Sequence, residues 1–233
     1  MRILYVFPHP DDESFNVGSA IAAQKRVGHE VCLLTLTRGG ATKQRHRLGL
    51  SVEAMGAIRF QEMQAVARVL DLDDLTVLDL PDSGLKELDP REIEAVVREH
   101  AAKVRPDVLV TYAVHGISGF HDHLVSHAVV KRVFCEMRAG GLGARRLALF
   151  TLAEQLPADF PIKVSISAEA EIDAVVETSE ADREKGRQSL ACYTTYKEVI
   201  DKAGVENLVP PRVYFEIFQE EHRPALADLG AGL

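Results

Sequence analysis

Residues 5–15 read YVFPHPDDESF, and the reading of this stretch decides the fold. A histidine, two prolines and three consecutive acids follow directly on an apolar run. Arg2–Phe7 is short, continuous and apolar, the pattern of a strand covered on both faces in a parallel sheet. Acids set against such a layer repel one another, so they must be paired or must hold a cation. Outward from this point, strand and helix signals alternate. Val17–Val27 carries a helical pattern that stops at Gly28, and Glu30–Leu36 is the next strand. Ala57–Leu70 is amphipathic and leads into a strand over Leu75–Leu80. Pro90–Val104 has proline in its first helical turn, and Asp107–Thr111 is the fourth strand. A loop, a helix over Leu124–Arg138 and a strand over Arg146–Leu152 come next. Beyond Thr151 the pattern weakens. It suggests a strand over Lys163–Ser167, a long charged helix over Glu169–Leu190, a last strand over Arg212–Phe218 and a frayed tail from Pro224.

This alternation predicts an α/β, Rossmann-like three-layer fold with a mostly parallel sheet, in a single domain over residues 1–233. Sites in such folds lie outside the carboxyl ends of the strands. Two unusual clusters fall there. One is the turn after the first strand. The other, after the fourth strand, is HGISGFHDHLVSH, with His115, His121, His123 and His127. Neither GxGxxG nor GxxxxGK[ST] follows the first strand, which argues against a dinucleotide or P-loop site.

Composition narrows the function further. The 233 residues are 46% hydrophobic and 27% charged, with a net charge of −8. That balance fits an ordinary globular protein and disfavours nucleic acid and anionic membrane surfaces as partners. Cys32, Cys135 and Cys192 lie far apart without CxxC spacing, so neither a disulfide framework nor a thiolate metal site is expected. No signal-like segment opens the sequence, and no apolar run approaches the ~20 residues of a membrane helix. A cytoplasmic protein is the expectation, with a homo-oligomer left open.

His9 and one of the acids Asp11 and Asp12 can grip a divalent ion, but two groups leave it short of ligands. A histidine from the second cluster completes a His–Asp–His set with positions open for water and substrate. One acid then stays off the ion. Asp11 is placed to take a proton from a water whose pKa the ion lowers from 15.7 toward ~7. A nearby histidine protonates the leaving group, which amounts to hydrolysis of an amide or ester. The plainer alternative makes Asp11–Asp12–Glu13 a solvated cap on the next helix. His29 and His46 read as surface residues. His127 shares a helical face with His123, as ligand or mere neighbour. The convergence of both clusters on one sheet edge favours the metal.

PHPDDE after an N-terminal strand resembles the (A/P)HPDDE motif of the PIG-L/LmbE-like zinc-dependent deacetylases. That family includes N-acetylglucosaminyl-phosphatidylinositol de-N-acetylases and enzymes acting on N-acetylglucosamine-based precursors of mycothiol and bacillithiol. The likeness continues in order through GHEVCLLTLTRGG, IRFQEMQAVARVL, LDLPDSGL and RPDVLVTY, over roughly residues 2–135. It implies an N-deacetylase acting on a small N-acyl amino sugar or conjugate, with one divalent cation, Zn2+. His9, Asp12 and His123 become the metal ligands and Asp11 the catalytic base. Arg59 and Asp82 become substrate-binding residues, and Asp122 an acceptor that steadies the ligand set. The family's HPDH motif reads FHDH here, with Phe120 in place of the first histidine. His121, from one residue away, is the expected catalytic acid, with His115 as its substitute. A metal amidase on a different amide, such as a thiol conjugate, is the alternative within enzymes. A noncatalytic sugar-binding descendant that kept the metal is the alternative outside them.

Overall fold

The computed structural model describes residues 1–156, 162–204 and 209–233. Its strands are β1 (Arg2–Phe7), β2 (Glu30–Thr37), β3 (Asp74–Leu80), β4 (Val108–Tyr112), β5 (Arg146–Thr151), β6 (Ala174–Glu177) and β7 (Arg212–Ile217). They form one sheet in the order β3-β2-β1-β4-β5-β7-β6. The first five strands run parallel, and β7 enters antiparallel between β5 and β6. The expected α/β architecture with a mostly parallel sheet is therefore observed.

The helices are α1 (Asp12–Asn16), α2 (Gly18–Arg26), α3 (Gln44–Arg47), α4 (Val52–Leu70), α5 (Pro90–Val104), α6 (His121–Ala139), α7 (Glu180–Ala191) and α8 (Lys197–Ala203). The sheet is buried on both sides. Ile3, Tyr5 and Phe7 of β1 pack with Ile21 of α2, Met63 and Val66 of α4 and Leu190 of α7. Leu4 and Val6 point the other way, onto Ile93 and Val97 of α5 and Val130 and Phe134 of α6. This two-sided burial is why β1 reads as a continuous apolar run rather than an alternating one.

After β1 the chain winds outward through β2 to β3, then returns to place β4 on the other flank of β1. The strand order thus reverses between β1 and β4, and a crevice opens where their following turns part in opposite directions. His9 follows β1 and the histidine cluster follows β4, so the topology brings both clusters to that switch point.

Three expectations are corrected beyond β5. Lys163–Ser167 forms no strand. Glu169–Leu190 is not one helix: a short 3-10 turn over Glu169–Glu171 precedes β6, and α7 starts only after Ser179. The Ser179 hydroxyl accepts from the Asp182 amide while the Asp182 carboxylate accepts from the Ser179 amide, a reciprocal cap that fixes the start. The high charge of the segment hid a four-residue strand whose pairing with β7 lies far away in sequence.

The tail is not frayed either. Arg146 is 3% exposed and donates to the carbonyls of Leu229 and Ala231 at 2.6 and 3.0 Å. Its guanidinium also pairs with Glu220 at 2.8 Å, and Leu229 is fully buried. Arg146→Met should therefore cost about 2–3 kcal/mol, because it strips charge-assisted bonds from enclosed acceptors. Urea unfolding checks this, and a loss under about 0.5 kcal/mol would show that Arg146 does not hold the tail.

Candidate active site

Pro8 and Pro10 flank His9 in the turn that carries β1 into α1. Asp11 sits at the start of α1 with φ of 90°, a left-handed backbone uncommon outside glycine. Such strain persists only where surroundings enforce it. Here the Asp11 carbonyl accepts from the Ser14 and Phe15 amides at 3.0 and 2.9 Å. Its side chain meets Arg59 Nη2 at 2.5 Å. Arg59, on α4, is buried and also donates to the Gly39 carbonyl at 3.0 Å and the Pro10 carbonyl at 2.6 Å. Gly39 has φ of 63°, and a Cβ there would run into the Arg59 guanidinium. Tyr196 covers the guanidinium, its ring centre 4.3 Å from Arg59 Cζ.

Asp12 is turned the other way and is 5% exposed. One oxygen accepts from the His9 amide at 2.9 Å and the other from the Tyr112 hydroxyl at 2.7 Å. His123 Nε2 lies 3.4 Å from Asp12 Oδ1, and His9 Nδ1 lies 3.4 Å from Asp12 Oδ2. His123 Nδ1 donates to the Gly116 carbonyl at 2.9 Å, which turns Nε2 toward Asp12. Tyr112 stacks on the His123 ring at 4.3 Å and fixes its plane. Gly116 adopts φ of 61°, and a Cβ on it would stand 2.9 Å from the His123 side chain. His9 Nε2 meets Asp122 at 3.2 Å and Asp82 at 3.4 Å. Asp122 also accepts from the Ser83 amide at 2.8 Å and the Leu85 amide at 3.3 Å, which ties the turn after β3 to the start of α6.

The electrostatics are those of a site that wants a cation. Desolvation lowers the basicity of His9, but bonds to Asp12 and Asp122 and the charge of Asp82 outweigh it, and its pKa is pushed up to about 10. Burial works against ionisation of Asp12, but His123 and His9 overcome it and hold the carboxyl below the usual range. Burial raises Asp11 above the carboxylate range, with Arg59 opposing. His9, Asp12 and His123 offer ligand atoms that lie within 4.8 Å of one another. Two imidazoles and one carboxylate, with one imidazole held by a backbone carbonyl, suit zinc. The residues present therefore fit the ion implied by the resemblance.

Two expected site residues stand outside the ligand set. Helix α6 begins at His121, not Leu124, so FHDH lies in its first turn. Residues two apart on a helix point to opposite sides. His123 is therefore buried while His121 is exposed and lines no part of the cavity. His115 does not take its place. It lies 3.3 Å from both Thr151 and Ser167, away from the ligand set. Phe120, at the missing histidine's position, lines the cavity and sets its ring edge against His123 at 5.5 Å. Arg59 is the second: it lines the cavity, with its guanidinium engaged by Asp11. Asp82 accepts from the Ala41 amide through Oδ2 at 2.6 Å and lines the cavity.

A family model described as PIG-L, GlcNAc-PI de-N-acetylase, matches residues 4–134. The chain belongs to the PIG-L family. A 1D-myo-inositol 2-acetamido-2-deoxy-alpha-D-glucopyranoside deacetylase of Thermomonospora curvata is 32% identical over 152 residues, 56% of this chain and 51% of the relative. The chain spans about half the length of the first such curated relatives it matches. Among solved structures, the zinc-inhibited form of teicoplanin deacetylase Orf2 superposes with a TM-score of 0.69 at 15% identity, covering 93% of this chain and 96% of that one. GalB, the 4-carboxy-2-hydroxymuconate hydratase of Pseudomonas putida KT2440, also reaches 0.69, at 14% identity, over 94% and 97% of the chains. These two likenesses show a fold shared by a deacetylase and a hydratase, and leave the chemistry to the site.

Sequence reasoning missed Tyr112, Tyr196, Gly39 and Gly116. Tyr112 joins both clusters, bonding Asp12 and stacking on His123. Its only signal was its place at the end of the strand beside β1, which requires the sheet order to interpret.

Proposed function

We propose that this PIG-L chain is a zinc-dependent hydrolase, a single domain acting in the cytoplasm, that removes an acetyl or other acyl group from an N-acylated amino sugar or its conjugate. One observation carries the reading. His9, Asp12 and His123 converge as a ligand set, while Asp11, in the same wall, is held off that set by Arg59. The naming of its relatives as amino-sugar deacetylases supports the substrate class. The absence, among the described residues, of a helix long and apolar enough to cross a membrane accords with it.

Zinc, when bound, polarises the acyl carbonyl and acidifies a water. The chain's own residues do the rest. Asp11 takes the water's proton as the carbon–oxygen bond forms, and it holds that proton for the leaving amine. This gives Asp11 the task first expected of His121. Asp122 keeps His9 oriented, and the Gly116 carbonyl keeps the His123 proton on Nδ1. Asp82 Oδ1 faces His9 at the cavity wall and is assigned to orient the substrate. Arg59 fixes where the Asp11 carboxylate stands.

Arg59→Lys keeps the charge but cannot span the Gly39, Pro10 and Asp11 oxygens with one planar fork. Turnover should fall by about 10²-fold, the scale of a base displaced by an ångström, while bound zinc stays the same. Wild-type turnover in this variant would remove Arg59 from the mechanism. The central test is acetate release from N-acetylglucosamine derivatives, before and after chelation and after zinc is restored. Release that ignores the chelator would refute metal dependence. The exposure of His121 favours one rival, a sugar-binding descendant without turnover. Sugar binding that needs zinc, with no acetate released, would establish that rival instead.

A further inference from the structure

The ligand set opens into a cavity of about 780 Å³, in the range of small-molecule sites. Its catalytic end is polar. Its other end, toward β5, β7 and α8, is walled by Ile117, Phe150, Leu152, Val164, Val199 and Val213. Several polar side chains around it are committed to one another, while Lys43, Gln44, Gln155 and Arg212 also line it. Asn16 donates to the Tyr112 hydroxyl at 2.8 Å, and Thr42 and Tyr196 share a bond at 2.6 Å. Thr151 is bonded to Ser167 at 2.6 Å, and Tyr214 donates to Glu154 at 2.9 Å. Phe120 adds another apolar surface directly beside His123.

A second sugar or a cyclitol placed against the apolar wall would bring hydroxyls whose partners in water are not replaced there, which costs affinity. An alkyl group meets the opposite situation, since it loses no hydrogen bonds and removes apolar wall from water. We infer that the substrate of this site carries an extended apolar group beside the scissile amide, either as a linear acyl chain or as an alkyl aglycone. The inference rests on the amide-hydrolase reading above. The reaction balances as hydrolysis: water adds across the carbon–nitrogen bond, releasing a carboxylic acid and an amine.

Two substrate series separate the two placements. The first is glucosamine N-acylated with acetyl, butanoyl, hexanoyl and octanoyl groups. The second is N-acetylglucosamine bearing methyl, butyl, hexyl and octyl aglycones. A fully buried methylene is worth about fourfold in affinity, so even partial burial should raise kcat/KM at least tenfold along one series. The series that rises locates the apolar group. Leu152→Asn should flatten that gain, because it places an amide in the apolar wall. Calorimetric titration of N-octanoylglucosamine, octyl N-acetylglucosaminide and N-acetylglucosamine into the zinc-loaded protein supplies a readout independent of turnover. Hydrolysis of N-acetylglucosamine with flat or falling series would overturn the inference and leave the deacetylase reading intact. Tight binding of the octyl compounds with no hydrolysis of any member would do the reverse. Neither binding nor hydrolysis would sink both.

Discussion

His123→Ala should lose zinc and hydrolysis together. The imidazole stands 3.4 Å from Asp12, with its Nδ1 proton fixed on the Gly116 carbonyl, so Nε2 is the atom turned toward the ligand set. Removing even a residue that merely orients a zinc ligand commonly weakens metal binding 10- to 100-fold, and removing the ligand should exceed about 10²-fold. The ring also packs on Tyr112 and Phe120, so some stability will be lost with it. The control is His121→Ala, two residues earlier on the same helix. Its side chain is exposed, and its removal should leave metal content unchanged. Metal analysis by plasma mass spectrometry after dialysis decides the matter. Zinc retained at full stoichiometry in His123→Ala would refute the ligand set.

The second large effect is expected at Asp11. Asp11→Asn keeps the shape and can still accept from Arg59, but it cannot take a proton from water. Turnover should drop by roughly 10²- to 10⁴-fold, the contribution of a positioned acid–base group. Zinc should remain bound, since Asp11 lies outside the ligand set. One complication has a physical remedy. The neutral amide leaves the buried Arg59 charge uncompensated, which costs about 3–5 kcal/mol in a buried pair. Adding Arg59→Met removes the orphaned charge and should recover part of that stability. If activity stays lost while melting temperature returns, chemistry rather than folding explains the loss. A single variant that turns over at the wild-type rate would remove Asp11 from its role as base.

These two residues show where sequence alone suffices and where it stops. His9, Asp11 and Asp12 were readable because they are contiguous and chemically costly. Acids set against an apolar strand need a compensating partner, and the strand itself was legible from its unbroken hydrophobicity. His123 could be assigned only with help from the resemblance, because four histidines share its segment. The structure separates them by helical phase. Starting α6 three residues earlier than the periodicity suggested turns His123 inward and His121 outward. The Arg59–Asp11 pair spans 48 positions, and no local pattern announces it. The region after β5 misled for the same reason, since the pairing of β6 with β7 is a long-range event hidden under local charge.

The sequence by itself determined the parallel α/β class, the strands β1 to β5 and the identity of the acids at the first turn. These follow from local hydrophobic period and from the cost of adjacent charge, both of which are properties of neighbours along the chain. Only the tertiary structure decided which histidine faces Asp12, that Arg59 grips Asp11, that Tyr112 bridges the two turns and that the cavity ends in an apolar wall. Each of those depends on helix phase or on strand order across the sheet, and such contacts form between residues that share no local signal.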